Sequence, residues 1–182
     1  MVSRQFTLED AHALAVAAHT GQVDKLGVDY MEHVLAVADG LADYDLELQI
    51  AAMLHDAVED GEGITLESLR GDGVSERALA VLALVSNNLH AGMPYAEVIA
   101  RITTSYDATL VKIADNAHNS RPDRVAALAA RTGKPPTTKY VEARQVLWRA
   151  VPSEDVARIV GRVAPDLLLM ERAQASPDPQ VD

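Results

Sequence analysis

The 182-residue chain contains no cysteine, which excludes disulfides, thiol catalysis and thiolate metal sites together. Basic residues are also few: 16 Lys and Arg stand against 27 Asp and Glu, for a formal net charge of -11. Affinity for nucleic acid comes largely from clustered lysine and arginine, so a binder of the phosphate backbone is not expected, and an anionic ligand would need a local attraction. No stretch approaches the roughly 18 apolar residues of a membrane span. The opening MVSRQFTLED lacks the apolar core of a signal peptide. These absences predict a cytoplasmic protein with neither a membrane nor a nucleic acid as partner. Strand-like alternation is scarce as well, and no internal repeat is visible.

What is present is a composition of 48% hydrophobic and 24% charged residues, ordinary for a globular protein long enough to bury a sizeable core. Helical periodicity dominates. TLEDAHALAVAAHTG opens with Thr7 as N-cap and Asp10 three positions on, and closes at Gly21. Further helical patterns run near 30–43 and 45–59, through a short TLESL turn and SERALAVLALVS, and through PYAEVIARI after Pro94. Others cover 106–119, 123–131, 137–150 and 153–173, the last with a break at Gly161 or Pro165. The expected fold class is all-α, with about eight to ten helices. Residues 1–173 read as a single domain and 174–182, polar and proline-containing, as a disordered tail.

The stretch AAMLHDAVED, residues 51–60, ends an apolar helical run in a histidine and three carboxylates. Uncompensated ions among apolar neighbours cost several kcal/mol or more, so such acids need protons, partners or a metal. On one continuous helix His55 lies above Glu59, and Asp56 above Asp60. Imidazole and carboxylate suit the first shell of a divalent cation. His55 and Asp56 give only two ligands, and two other patterns place polar residues where core is expected: His33 on the stripe with Val34, Val37 and Leu41, and Asp115 after Leu110, Val111 and Ile113. Asp115 has Lys112 one turn before it and Asn119 one turn after it, which suggests an anion site beside a cation site. Lys25, in the loop GQVDKLG, is a cation able to reach a phosphate. Glu59 and Asp60 stand near a helix C-terminus, where acids oppose the helix dipole and need compensation. His19 is expected to cap the first helix; His12 and His90 read as surface residues, and His118 has no derivable role.

The ordered set His33, His55-Asp56, Glu59-Asp60 and Asp115 resembles the HD superfamily of metal-dependent phosphohydrolases. The pairing of E-D after H-D is similar to the hydrolase domain of Rel/SpoT-type enzymes and to the small alarmone hydrolases. AAHTGQVDKLGVDYMEH, AAMLHDAVED and LVKIADNAHNSR carry the likeness over roughly residues 15–121, more weakly to about 150. The resemblance implies a compact multi-helix HD-domain fold with one divalent metal ion, manganese in most relatives, held by His33, His55, Asp56 and Asp115. It gives Glu59 and Asp60 the task of orienting or deprotonating the attacking water. It places Lys25, Lys112, Asn119 and Tyr140 on a small phosphorylated nucleotide, from which alarmone hydrolases remove the 3′-pyrophosphate.

Where the family commonly has Arg-Lys-Ser-Gly in the first loop, this chain has Asp24-Lys25-Leu26-Gly27; Asp29 and Val34 also replace customary prolines. The change at Asp24 leaves open an adenine counterpart, a nucleotide phosphomonoesterase or cofactor phosphatase, and a metal-dependent nucleotide sensor without turnover. No length of chain is left for an appended synthetase domain, so an opposing synthetase is expected to be another protein.

Overall fold

The computed structural model describes residues 5–134 and 138–175. Among them run twelve α-helices, one 3-10 turn and no strand beyond an isolated bridge between Val23 and Asp29, which bears out the all-α expectation. In chain order they are α1 Leu8–Ala18, α2 Tyr30–Gly40, α3 Leu46–Met53, α4 Ala57–Asp60, α5 Leu66–Asp72, α6 Glu76–Val85, the 3-10 turn η1 Asn87–His90, α7 Tyr95–Ile102, α8 Tyr106–Asn119, α9 Pro122–Thr132, α10 Lys139–Arg149, α11 Ser153–Val163 and α12 Pro165–Ala175. Among the described residues no helix is long and apolar enough to cross a membrane.

The predicted capping at Thr7 is present: its hydroxyl accepts from the Asp10 amide, and the Asp10 carboxylate accepts from the Thr7 amide. Helix α1 stops at Ala18, with His19 as its C-cap, short of the predicted Gly21. The long pattern near 153–173 breaks at Pro165, which opens α12, while Gly161 lies inside α11. Most of the expected tail, from 176 on, lies outside the described residues, as do 135–137 before α10.

The larger correction is at 45–59. Instead of one helix, α3 ends at Met53 and α4 begins at Ala57. Between them the backbone tightens, with the His55 amide reaching Ala52 O and the Ala57 amide reaching Leu54 O, both three residues back. The helices beyond the expected eight to ten come from this break and from the one at Pro165.

Helix α8 is the axis of the fold: every residue from Ala108 to His118 is buried, and α2, α3, α6, α7, α10 and α11 all pack against it. A helix enclosed on all sides has no solvent face for charge, so Lys112 and Asp115 on it must find partners. Two glycines permit close crossings. A Cβ at Gly40 would come within 2.7 Å of Val163 Cγ2, and one at Gly61 within 2.6 Å of Ala57 O and 2.7 Å of Ile64 Cδ1. Gly61 thereby fixes where α4, with Glu59 and Asp60, ends.

Candidate metal centre

His33 comes from the first turn of α2, His55 and Asp56 from the tightened turn between α3 and α4, and Asp115 from mid-α8. A regular helix separates consecutive side chains by about 100°. The tightened turn instead brings His55 Nε2 and Asp56 Oδ2 to 3.0 Å. His33 Nε2 lies 3.2 Å from His55 Nε2, 3.4 Å from Asp56 Oδ2 and 3.5 Å from Asp115 Oδ1. Ligands bound at about 2.1 Å stand about 3.0 Å apart at right angles and about 3.4 Å apart at tetrahedral angles, so these four atoms suit one central cation.

The donor chemistry agrees. His55 Nδ1 donates to Ala52 O at 2.9 Å, which leaves its Nε2 as a bare acceptor when the ring is neutral. His33 Nδ1 lies 2.8 Å from His118 Nδ1. Burial pushes His118 down to about 3, so that ring is neutral, and a neutral ring can accept from His33 Nδ1–H. A bound cation would take the place of the proton that His55 Nε2 otherwise shares with Asp56 Oδ2 at 3.0 Å. Burial alone would lower His55, yet the adjacent Asp56 charge pushes it up to about 9. Burial works to raise Asp56, but His55 and His33 hold it well below the usual carboxylate range. His33, His55 and Asp115 are all buried, and their ligand atoms lie within 4.8 Å of one another.

Asp115 also anchors its neighbours. Lys112 Nζ lies 2.7 Å from its Oδ2, and Asn119 Nδ2 donates to its Oδ1 at 2.6 Å. Lys112 and Asn119, predicted as nucleotide contacts, therefore hold Asp115 first, although both line the adjoining cavity. Burial would lower Lys112, but Asp115 raises it above its ordinary value, so it stays charged.

Glu59 and Asp60 are exposed at the cavity rim. They do not stack beneath His55 and Asp56, as a continuous helix would require. Glu59 Oε2 accepts from both the backbone amide and the side-chain amide of Asn87, each at 3.0 Å. Asp60 Oδ2 accepts from Gln22 Nε2 at 2.9 Å, and Gln22 Oε1 lies 2.7 Å from His19 Nδ1. His19 stacks on Tyr30 at 4.8 Å, and the Tyr30 hydroxyl donates to Asp56 Oδ2 at 2.8 Å. Each acid is thus oriented by a partner distant in sequence.

The cavity holds about 690 Å³, the size of a small-molecule site. It brings together His33, Asp56, Glu59, Asp60 and Asp115 on the acidic side with Lys25, Lys112, Asn119 and Tyr140. Sequence reasoning missed Gln22, Tyr30, Asn87, Tyr95, Arg124 and Lys139, which also line it. Lys139 Nζ sits 4.8 Å from the Tyr140 ring centre and 5.2 Å from that of Tyr95. His12 is exposed as predicted. His90, expected on the surface, is half-buried and lines the cavity, with its Nε2 3.0 Å from Leu84 O.

Comparison with known proteins finds similarity to several relatives of one kind. Over 140 residues the chain is 31% identical to the bifunctional (p)ppGpp synthase/hydrolase SpoT of Escherichia coli, covering 69% of this chain and 20% of that protein. The chain resembles one segment of the Rel/SpoT-type proteins. A guanosine-3′,5′-bis(diphosphate) 3′-pyrophosphohydrolase of Haemophilus influenzae is 31% identical over 135 residues, 65% of this chain and 20% of its own length. A probable GTP pyrophosphokinase of Mycobacterium leprae is 31% identical over 153 residues, 80% of this chain and 18% of its own. The chain thus spans about a fifth of the length of the curated relatives it matches. No family model matches it.

Proposed function

We propose that this chain is an HD-type, metal-dependent phosphohydrolase that removes pyrophosphate from a guanosine 3′,5′-bis(diphosphate)-like nucleotide, with residues 1–173 as one hydrolase domain working in the cytoplasm. The observation that carries this reading is the convergence of His33, His55, Asp56 and Asp115 within 3.0–3.5 Å contacts, three of them, His33, Asp56 and Asp115, on the wall of a cavity that also presents lysines. The Rel/SpoT-type relatives support the reaction class.

In this reading the four residues hold one divalent ion, manganese, which when bound supplies a Lewis acid for phosphoryl oxygens and acidifies water. Glu59, held by Asn87, and Asp60, held by Gln22, orient the attacking water and take its proton. Water adds to the phosphorus of the 3′ ester, the bond from phosphorus to O3′ breaks, and O3′ regains a proton. The products are GDP and pyrophosphate. Lys25 and Tyr140 meet the nucleotide directly; Lys112 and Asn119 meet it while holding Asp115.

A product assay on the purified, manganese-loaded protein tests the proposal, with guanosine and adenosine 3′-pyrophosphate nucleotides, dGTP and NADPH offered in parallel. The expected result is pyrophosphate from the guanosine nucleotide. Phosphate or triphosphate from another substrate would assign a different phosphohydrolase branch, and no turnover on any substrate would favour a sensor.

A further inference from the structure

Position 24 carries an acid where the resemblance leads one to expect an arginine, and its surroundings change what that acid means. Asp24 Oδ1 accepts from the Leu26 amide at 2.7 Å and the Val28 amide at 3.0 Å, while Oδ2 pairs with Arg124 Nη1 from α9, 100 residues further along the chain. The Asp24 side chain is only 5% exposed and that of Arg124 only 13%. A carboxylate with both oxygens engaged and almost no exposure neither stacks on a base nor repels a phosphate. Its effect is to fix a guanidinium.

Arg124 lines the main cavity, as do Lys25, Leu128 and Tyr140. Among the described residues no carboxylate but Asp24 lies within ion-pair distance of Arg124. Its Nε is buried and has no hydrogen-bond partner. Arginine binds oxyanions through a planar fork, and here Asp24 takes one Nη while the Nε atom is left unmatched. The lysines that line the same cavity point the same way. Burial lowers the pKa of Lys139, and the charges of Lys25 and Lys112 lower it further, a crowding of like charge that an anion would relieve. Lys112 is committed to Asp115 at the metal cluster, whereas Arg124 has no such tie to that cluster.

We propose that Arg124, set in place by Asp24, selects the substrate by its uncleaved arm, a 5′-diphosphate carried on the nucleoside whose 3′ arm lies at the metal cluster. This assignment rests on the pyrophosphohydrolase reading and adds the determinant of specificity that the first loop no longer supplies. Asp24 is a positioning residue; Arg124 is the contact.

GDP carries only the arm that Arg124 would hold, so its binding to the manganese-loaded protein, followed by calorimetry, tests the contact without any turnover. Arg124→Ala should weaken GDP binding about 10–100-fold, and Arg124→Lys should recover part of the loss, because it keeps the charge but not the fork. The double variant Asp24→Asn with Arg124→Ala leaves no unpaired buried charge, so it should fold and show the same weakening. In parallel, the ratio of kcat/KM for guanosine 3′,5′-bis(diphosphate) over guanosine 3′-diphosphate with a free 5′-hydroxyl should fall by a similar factor. No binding of GDP by the wild type, a Kd within twofold of wild type in the double variant, or equal losses on both substrates would overturn the assignment. If the wild type hydrolyses neither nucleotide yet GDP binding falls as stated, the pyrophosphohydrolase reading fails and the contact stands.

Discussion

The metal-ligating side of the cavity hangs on α2, α8 and the turn after α3, elements embedded in the core, whereas Lys25 and Arg124 of the cationic side hang on the 21–29 loop and on α9, a helix with no buried residue. Chemistry that needs atoms held to a few tenths of an ångström is placed where packing fixes rotamers. Recognition is placed on segments whose sequence is free to change without disturbing that packing. The two walls should therefore respond differently to substitution.

The comparison breaks first at the acidic wall. Asp56→Ala should abolish turnover and metal retention together, measured as bound manganese per chain after gel filtration, because a methyl cannot replace a coordinating oxygen. Asp115→Ala should do the same and also leave buried Lys112 unpaired, at a cost of about 3–5 kcal/mol in chemical unfolding. Full activity in either variant would remove the site. Next come the rim acids: Glu59→Gln and Asp60→Asn should each lower kcat by roughly 10²-fold with metal still bound. Loss of the metal instead would make them ligands.

A smaller effect sharpens the contrast within the acidic wall. His118→Ala removes the acceptor for His33 Nδ1–H and should weaken manganese affinity about 10–100-fold in a competition titration; an unchanged affinity would reduce His118 to packing. The smallest effect belongs to the cationic wall and depends on pH. Burial works to raise Asp24, but Arg124 and the loop amides outweigh it and hold the carboxyl below its usual value. Its contribution to stability is therefore present above the unfolded value of about 3.9 and is lost as pH falls through the lower folded value. Asp24→Asn should be less stable than wild type near neutral pH, and the urea midpoints should converge as pH falls through the lowered folded value. A gap that stays constant with pH would show that the Asp24 charge does not account for it.

The same division explains what was legible in the sequence. His33 and Asp115 stood out because a polar residue on an apolar stripe conflicts with helical burial, and His55-Asp56 because a buried run ends in ions. Those signals are local in the chain. The break between α3 and α4 was not legible, since AAMLHDAV has no proline or glycine to mark it. Gln22, Asn87 and Arg124 were missed because their partners Asp60, Glu59 and Asp24 lie 38, 28 and 100 residues away, and no periodicity links such pairs. His118 lacked a role for the same reason, its partner His33 being 85 residues distant. Asp24 read alone as the loss of a cation from the site, while in the fold it holds another in place.

The most direct test of the account is a manganese titration of chelator-stripped protein, following GDP and pyrophosphate released from guanosine 3′,5′-bis(diphosphate). The account predicts no turnover in the stripped protein, recovery that saturates at one ion per chain, and the two products in equal amounts. Turnover that survives metal removal, or a restored protein that yields neither product, would contradict it.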